Sequence, residues 1–353
     1  MLHPTRCVFN VLLFGSVVLL LVVPSIGNPG MGRVVAGSDP SQSAPKPLYR
    51  DPVHDGAADP SLVWNRAGKE WMMFYTNRRA DMVSAIPHDV TWIHGTNIGV
   101  AASDDGGYTW KYRGTAKIPY GAADYTFWAP DVVWNQGLYH MFLTVVPGIF
   151  DNWNHPREII HLTSNDLSTW AFKTKLNLSS DRTIDPYVLR LNDGSWRLWY
   201  KDERDHSHIH YANSPDLFHW TEGGVAITDR PSEGPVVFHW KGKYWLIVDA
   251  WKGLGVYRSS DTLNWVAQSN NLLAAGGSSP TDRSEGQHAD VIVSNGRAFI
   301  FYFVHQKGKD LNPALTSPAN RTVIQVAELK EANGELTTDR DRPTALALGD
   351  AER

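Results

Sequence analysis

The chain has 353 residues and a formal net charge of −4 at pH 7, from 33 Lys and Arg against 37 Asp and Glu. This slightly acidic balance leaves no basic stripe to contact phosphates, which argues against a nucleic-acid partner. The single cysteine, Cys7, lies near the N-terminus, within a predicted export signal. We therefore expect the mature chain to be stabilised by a hydrophobic core without disulfides, and its length is sufficient to bury one.

Residues 1–27 predict a signal peptide. Arg6 supplies a weak positive region, an apolar run extends from Val11 to Val23, and Gly27 ends a short stretch suited to cleavage. A run of this length is too short to span a bilayer comfortably. The segment predicts a secreted or periplasmic protein that has no membrane contact after cleavage, with an uncleaved anchor as the alternative. The mature chain would carry 32 basic and 37 acidic residues, a net charge of −5.

Residues 28–47 are rich in Gly, Ser and Pro and predict a flexible leader. From there to about residue 340, short runs of β-branched and aromatic residues alternate with Gly, Asn and Asp turns, and no long stretch has the helical period. This pattern predicts one all-β domain over residues 48–340, followed by a C-terminal tail over residues 341–353.

The all-β region contains five repeats, each with a short motif that opens a strand, a turn and a second aromatic strand. The motifs open at Asp59, Ala129, Asp185, Glu233 and His288, with spacings of 70, 56, 48 and 55 residues. A second repeated element, interpreted as a structural turn that places a Trp on the blade, starts at Ser103, Ser164, Ser214 and Ser260. Five such units predict a five-bladed β-propeller with four-stranded antiparallel blades around a central channel.

The innermost strand of a propeller blade starts at the channel, so the opening residues of all five motifs are expected to meet there. Aligning the motifs on their apolar cores places Asp59, Ala129, Asp185, Glu233 and His288 at one equivalent position. Carboxylates grouped in a confined channel raise the pKa of at least one of them. Glycoside hydrolysis uses such a set, with one protonated acid and one ionised base.

The chain resembles glycoside hydrolase family 43 and its relatives in families 62, 32, 68 and 117, over residues from about 50 to 330. The resemblance rests on the order of four motifs, Asp59-Pro60, Ala129-Pro130, Asp185-Pro186 and Glu233-Gly234. The resemblance implies an inverting glycosidase with Asp59 as general base, Asp185 as pKa modulator and orienting residue, and Glu233 as general acid. It further implies a plant or algal oligosaccharide or polysaccharide as substrate, with arabinofuranosides and xylosides as the default, and no required cofactor. We expect the pKa of Glu233 to be raised by Asp59 and Asp185.

Two departures from the family pattern leave the exact family and the sugar open. The last blade opens with Gly286-Gln287-His288, and an insertion runs from Arg78 to Thr96. A related glycosidase that releases anhydro-galactose, with a histidine acid, and an inactive sugar-binding propeller are the alternatives. A retaining fructan hydrolase is disfavoured, because its Arg-Asp-Pro motif occurs here at Arg50, before the first blade, where it predicts the start of that blade or a closing strand.

Further candidate residues flank these motifs. Trp128 is predicted to stack on a sugar ring, and Arg283 and Glu285 to bind substrate or to hold Glu233. His288 has three interpretations: a hydrogen-bonded core residue, a contact to substrate or water, or a ligand through water of a structural calcium ion. The sequence leaves the linkage, exo or endo action and the oligomeric state open.

Overall fold

The computed structural model describes residues 43–82, 89–306 and 320–350. The predicted signal peptide, residues 28–42 of the predicted leader, residues 83–88 of the insertion and residues 351–353 of the tail lie outside the described residues. Within the described ranges, no helix is long and apolar enough to cross a membrane. A short 3-10 helix, Thr91–Ile93, lies in the insertion.

In the described part of the chain, twenty strands form five four-stranded antiparallel sheets, each built from strands consecutive in sequence. Blade 1 contains β1 (Ala57–Asn65), β2 (Glu70–Asn77), β3 (Asn97–Ser103) and β4 (Lys111–Thr115). Blade 2 contains β5 (Thr126–Asn135), β6 (Leu138–Val146), β7 (Glu158–Ser164) and β8 (Ala171–Lys175). Blade 3 contains β9 (Thr183–Arg190), β10 (Trp196–Asp202), β11 (His208–Ser214) and β12 (Thr221–Ile227). Blade 4 contains β13 (Glu233–Trp240), β14 (Lys243–Asp249), β15 (Leu254–Ser259) and β16 (Val266–Ala267). Blade 5 contains β17 (Gln287–Ser294), β18 (Arg297–His305), β19 (Thr322–Ala332) and β20 (Glu335–Thr338).

The inner strands β1, β5, β9, β13 and β17 pack against one another in a closed ring, so the predicted five-bladed propeller is confirmed. The ring is tied by the segment before blade 1. The Tyr49 N–H donates to the Ile324 carbonyl at 3.1 Å, and the Ile324 N–H donates back at 2.9 Å. Residues next to Arg50 therefore close the propeller on blade 5.

The chain stays packed against the propeller beyond both ends of the predicted domain. The Ala44 N–H donates to the Thr344 carbonyl at 2.8 Å, and Leu346 and Leu348 are buried with Tyr49 in the core between blades 1 and 5. Part of the predicted leader and part of the predicted tail thus contribute to the packed unit, which extends beyond residues 48 and 340.

The channel ends of the inner strands share an unusual backbone. Each inner strand pairs with the second strand of its own blade, and the register of this pairing shifts at the motif. Asp59, Ala129, Asp185 and Gly234 have φ values of 50°, 43°, 57° and 54°, and each precedes a proline. A left-handed conformation costs a non-glycine residue about 1–3 kcal/mol and is typical of functional sites.

This backbone corrects the alignment of the motifs by one residue in blade 4. The residue equivalent to Asp59 and Asp185 is Gly234, and Glu233 stands one position earlier. The alignment on apolar cores missed this offset because the apolar run of blade 4 starts one residue early, at Val236, where blades 1 and 2 have the polar Ser61 and Asp131. Gly234 is required here, since a Cβ would lie 2.6 Å from Cγ of His288.

The repeated turns are structural, as predicted. In three of them the first Ser bonds the Asp two residues later, for example Ser103 Oγ to Asp105 Oδ1 at 2.8 Å. The fourth turn starts at Ser259, one residue before the predicted Ser260, because Ser259 Oγ donates to Asp261 at 2.9 Å.

Candidate active site

A cavity of about 410 Å³ lies where the inner-strand motifs meet. Five of the seven predicted site residues line it, namely Asp59, Trp128, Asp185, Glu233 and His288. The left-handed bulges direct residues from different blades toward this one space.

Arg283 and Glu285 are not among the residues that line the cavity. Arg283 is exposed and Glu285 is half-buried, in the segment that leads to β17. The neighbouring Asp282 is buried and forms ion pairs with Lys46 and Arg340. This segment therefore holds the residues that flank the propeller at both ends, near Lys46 and Arg340. The roles predicted for Arg283 and Glu285 stay predictions.

Asp59 is nearly buried, with 8% of its side chain exposed. Its Oδ1 accepts from Arg78 Nη2 at 3.2 Å and lies 3.5 Å from His288 Nδ1. The His288 side chain is 15% exposed. Burial alone would lower the pKa of His288, but Asp59 and the other carboxylates of the channel raise it above its usual value.

Both carboxylate oxygens of Glu233 accept hydrogen bonds from the protein. Lys201 Nζ lies 2.9 Å from Oε2, and Trp251 Nε1 lies 3.0 Å from Oε1. Burial would raise the pKa of Glu233, but the Lys201 ammonium and these two hydrogen bonds hold it at about 2. The prediction of a raised pKa for Glu233 is therefore wrong for the free protein, because a cation on β10 outweighs the neighbouring carboxylates.

Asp185 has the opposite electrostatic environment. Its Oδ2 accepts from the Gly234 N–H at 3.1 Å, and its own N–H donates to Thr144 Oγ1 at 2.9 Å. Burial raises the pKa of Asp185 to about 6, and the charge of Glu233 adds to this effect against the opposing His288. Asp185 thus carries a proton more readily than Glu233 does in the free protein.

A fourth carboxylate, Asp249 on β14, pairs directly with Glu233 in the sheet. Its side chain accepts the N–H groups of Trp251 at 2.8 Å and His288 at 3.2 Å. Burial, followed by the charge of Glu233, raises its pKa to about 7. Sequence reasoning missed Asp249, because only the strand register places the end of β14 beside the motif of β13.

The insertion that the family pattern did not explain forms one wall of the cavity, through Trp92 and Ile93. Trp128 Nε1 donates to the Ile93 carbonyl at 2.6 Å, and its ring centroid lies 6.2 Å from that of Trp153. Trp128 is only 7% exposed, whereas Trp153 is 51% and Trp251 is 42% exposed. The two exposed rings present more surface to a bound ligand than Trp128 does.

Three charged residues, Arg157, Lys201 and Glu203, also line the cavity. Arg157 Nη1 donates to Glu203 Oε1 at 2.8 Å, and Arg182 Nε donates to Glu203 Oε2 at 3.1 Å. Lys201 Nζ lies 3.4 Å from Glu203 Oε1. Glu203 is therefore held in place beside the lysine that contacts Glu233.

Among the described residues, no group of three or more His, Cys, Asp or Glu side chains is arranged to hold a metal ion. The calcium site through His288 stays a prediction.

No protein-family model and no curated protein matches the sequence. Solved structures match the fold. A thermostable family-43 glycoside hydrolase aligns with a TM-score of 0.61 at 19% identity, over 85% of this chain and 99% of that chain. A GH43 β-1,3-galactosidase with galactodeoxynojirimycin aligns with a TM-score of 0.62 at 14% identity, over 86% of this chain and 100% of that chain. A xylan β-1,4-xylosidase from Bacillus halodurans C-125 aligns with a TM-score of 0.59 at 16% identity, over 84% of this chain but only 57% of that chain. The predicted resemblance is thereby confirmed at the level of the fold.

Proposed function

We propose that this protein is a glycoside hydrolase that acts in the cavity of about 410 Å³ on an oligosaccharide or polysaccharide. The observation that carries the proposal is the meeting of Asp59, Asp185 and Glu233, from blades 1, 3 and 4, in one cavity with tryptophans at its wall. Paired carboxylates beside aromatic faces are suited to bind a sugar ring and to cleave its glycosidic bond.

In the proposed reaction, Asp59 is the general base. Arg78 and His288 hold its carboxylate in place, and from there it takes a proton from the attacking water. Glu233 is the general acid and gives a proton to the leaving oxygen. Asp185 orients the substrate, and the hydrogen bond from the Gly234 N–H to its carboxylate fixes the segment that carries Glu233. Asp59 and Glu233 lie on non-adjacent blades of the ring, which favours direct displacement by water with inversion of configuration.

The substrate class is proposed from the neighbours of the fold. These neighbours include xylosidases, a β-1,3-galactosidase, and a GH43_1 enzyme from Xanthomonas citri with xylotriose. Xylosides and galactosides are therefore the first substrates to test, together with the arabinofuranosides that the sequence resemblance implies.

His288 favours a second candidate, a glycosidase in which a histidine is the acid. Its imidazole lines the cavity, and the surrounding carboxylates favour its protonated form. Comparison of His288→Gln with Glu233→Gln decides between the two, because loss of the acid slows the hydrolysis of poor leaving groups far more than that of activated ones.

The proposal is tested on a panel of aryl glycosides and plant and algal oligosaccharides, with analysis of the products. We expect turnover by the wild type and a loss of at least about 100-fold in Asp59→Asn, since the general base is removed. Asp104→Asn is the matched control, because Asp104 is exposed and pairs with Lys111. Binding of sugars without turnover would instead identify an inactive sugar-binding propeller, and full activity of Asp59→Asn would refute the assigned base.

A further inference from the structure

The second strand of each blade has one position that faces the motif of the next blade. In blades 1, 2 and 4 this position is Thr76, Thr144 and Asp249, respectively. Each of these residues pairs with the inner-strand residue that comes just before the bulge. Their side-chain oxygens accept the N–H groups of Ala129 at 2.8 Å, Asp185 at 2.9 Å and His288 at 3.2 Å. The position thus serves to join adjacent blades.

Lys201 occupies the same position in blade 3, paired with Ile184. An ammonium group has no acceptor, and the Gly234 N–H bonds Asp185 instead, at 3.1 Å. Blade 5 also lacks an acceptor there, because Phe303 stands opposite Gln287. Lys201 therefore accepts no backbone N–H from the next blade as its equivalents do, although it is buried, with 5% of its side chain exposed.

The Lys201 ammonium instead contacts Glu233 Oε2 at 2.9 Å, while Trp251 Nε1 occupies Oε1 at 3.0 Å. Each oxygen of the proposed acid already accepts from a donor of the protein. A general acid must carry its proton on an oxygen that faces the leaving group. Uptake of a proton from water by Glu233 is opposed by the adjacent Lys201 ammonium, so this contact must weaken before Glu233 can act.

We propose that Lys201 is a positioning residue that holds Glu233 as a carboxylate in the free protein and moves to Glu203 when substrate fills the cavity. The inference rests on the proposed function, in which Glu233 is the acid. Glu203 Oε1 lies 3.4 Å from Lys201 Nζ in the free protein, so the transfer requires only a small displacement. Arg157 and Arg182 hold Glu203 in place to receive it.

Other charged groups also influence Glu233, and they differ from Lys201 in kind. Carboxylates approach it from three elements and oppose its ionisation: Asp59 on β1, Asp185 on β9 and Asp249 on β14. Two cations favour ionisation from a greater distance, His288 on β17 and Arg157 before β7. Lys201 combines a charge with a direct hydrogen bond, so its removal is expected to raise the pKa of Glu233.

The contact is tested without a substrate by infrared titration of the Glu233 carboxyl group, identified from the difference between each protein and its Glu233→Gln counterpart. In Lys201→Met we expect the titration midpoint to rise by about 1–3 pH units. Lys201→Arg keeps the charge and should preserve a low midpoint. Lys243→Met is the matched control, because Lys243 is 43% exposed on blade 4. An unchanged midpoint in a folded Lys201→Met protein would overturn the proposal.

The proposed movement is tested by pH profiles on any substrate that is turned over. The alkaline limb of kcat/KM reports the free enzyme, and that of kcat reports the complex. Lys201→Met should move the first limb to higher pH and the second much less, since Lys201 has already left Glu233 in the complex. Equal shifts of both limbs would show that Lys201 stays on Glu233, and would overturn the movement.

A variant of Trp251, which contacts the other carboxylate oxygen of Glu233, gives a test that does not depend on the stability of Lys201→Met. Trp251→Phe removes the donor to Oε1 from a ring that is 42% exposed, and should raise the midpoint less than loss of a charge does. If neither variant changes the midpoint, the protein donors do not control Glu233. Absence of turnover on every substrate would refute the proposed function alone, because the infrared titration needs no substrate.

Discussion

Replacement of Glu233 by Gln separates its role as acid from its role in structure. An amide has one acceptor and one donor group, whereas the carboxylate accepts from Lys201 at 2.9 Å and from Trp251 at 3.0 Å. In either orientation of the amide, one of these donors faces an NH₂ group. Lys201 has Glu203 at 3.4 Å as another partner, and the exposed Trp251 ring has solvent. We therefore expect a loss of only about 1 kcal/mol in the free energy of unfolding.

The effect on catalysis should depend on the leaving group. General acid catalysis contributes about 10²–10⁴-fold, so Glu233→Gln should lose about 3–5 kcal/mol of transition-state stabilisation on natural linkages, at about 1.4 kcal/mol for each tenfold change. Dinitrophenyl glycosides need no proton on the leaving oxygen and should lose less than about tenfold.

The assay is kcat/KM of wild type and Glu233→Gln on a series of glycosides that differ in the pKa of the leaving group, with thermal unfolding as a check of the fold. Glu222→Gln is the matched control, since Glu222 is exposed on the outer strand β12. Equal losses on good and poor leaving groups would refute the assignment of Glu233 as acid.

Three further predictions follow from the same geometry. Proton NMR of the first product should show inversion of the anomeric configuration, and retention would refute direct displacement by water. Asp290→Ala should lower the free energy of unfolding by about 1–3 kcal/mol in urea titrations, because the buried Asp290 carboxylate accepts the Leu62 N–H at 2.8 Å and joins blades 5 and 1; an unchanged value would contradict this role. The pKa of Asp249 is raised to about 7, so the folded state binds more protons than the unfolded state and this group lowers stability as pH rises from about 4 to 7. Melting temperatures of wild type and Asp249→Asn across that range should show a weaker decline in the variant, and identical slopes would refute the assignment.

The five-bladed fold could be predicted from the sequence, because each blade must bury its own aromatic strands and therefore repeats the same pattern. The turns that begin at Ser103, Ser164 and Ser214 were predicted for the same reason, since a Ser and an Asp in close sequence proximity bond the local backbone wherever they occur. Asp59 and Asp185 were found as members of that repeat, and the structure brings both to the cavity. These features depend on residues near one another in the chain.

The electrostatics of the site depend on residues that are distant in sequence. Lys201 and Asp249 lie at the ends of second strands, and only the register of β10 and β14 places them beside Glu233. In sequence, a charged residue at the end of a strand is typical of an exposed turn. The sequence alone therefore predicted that Asp59, Asp185 and Glu233 meet. The tertiary structure added Asp249 beside them and decided which carboxylate is ionised, because the pKa of a buried acid is set by the charge and donors that the fold places within a few ångströms of it.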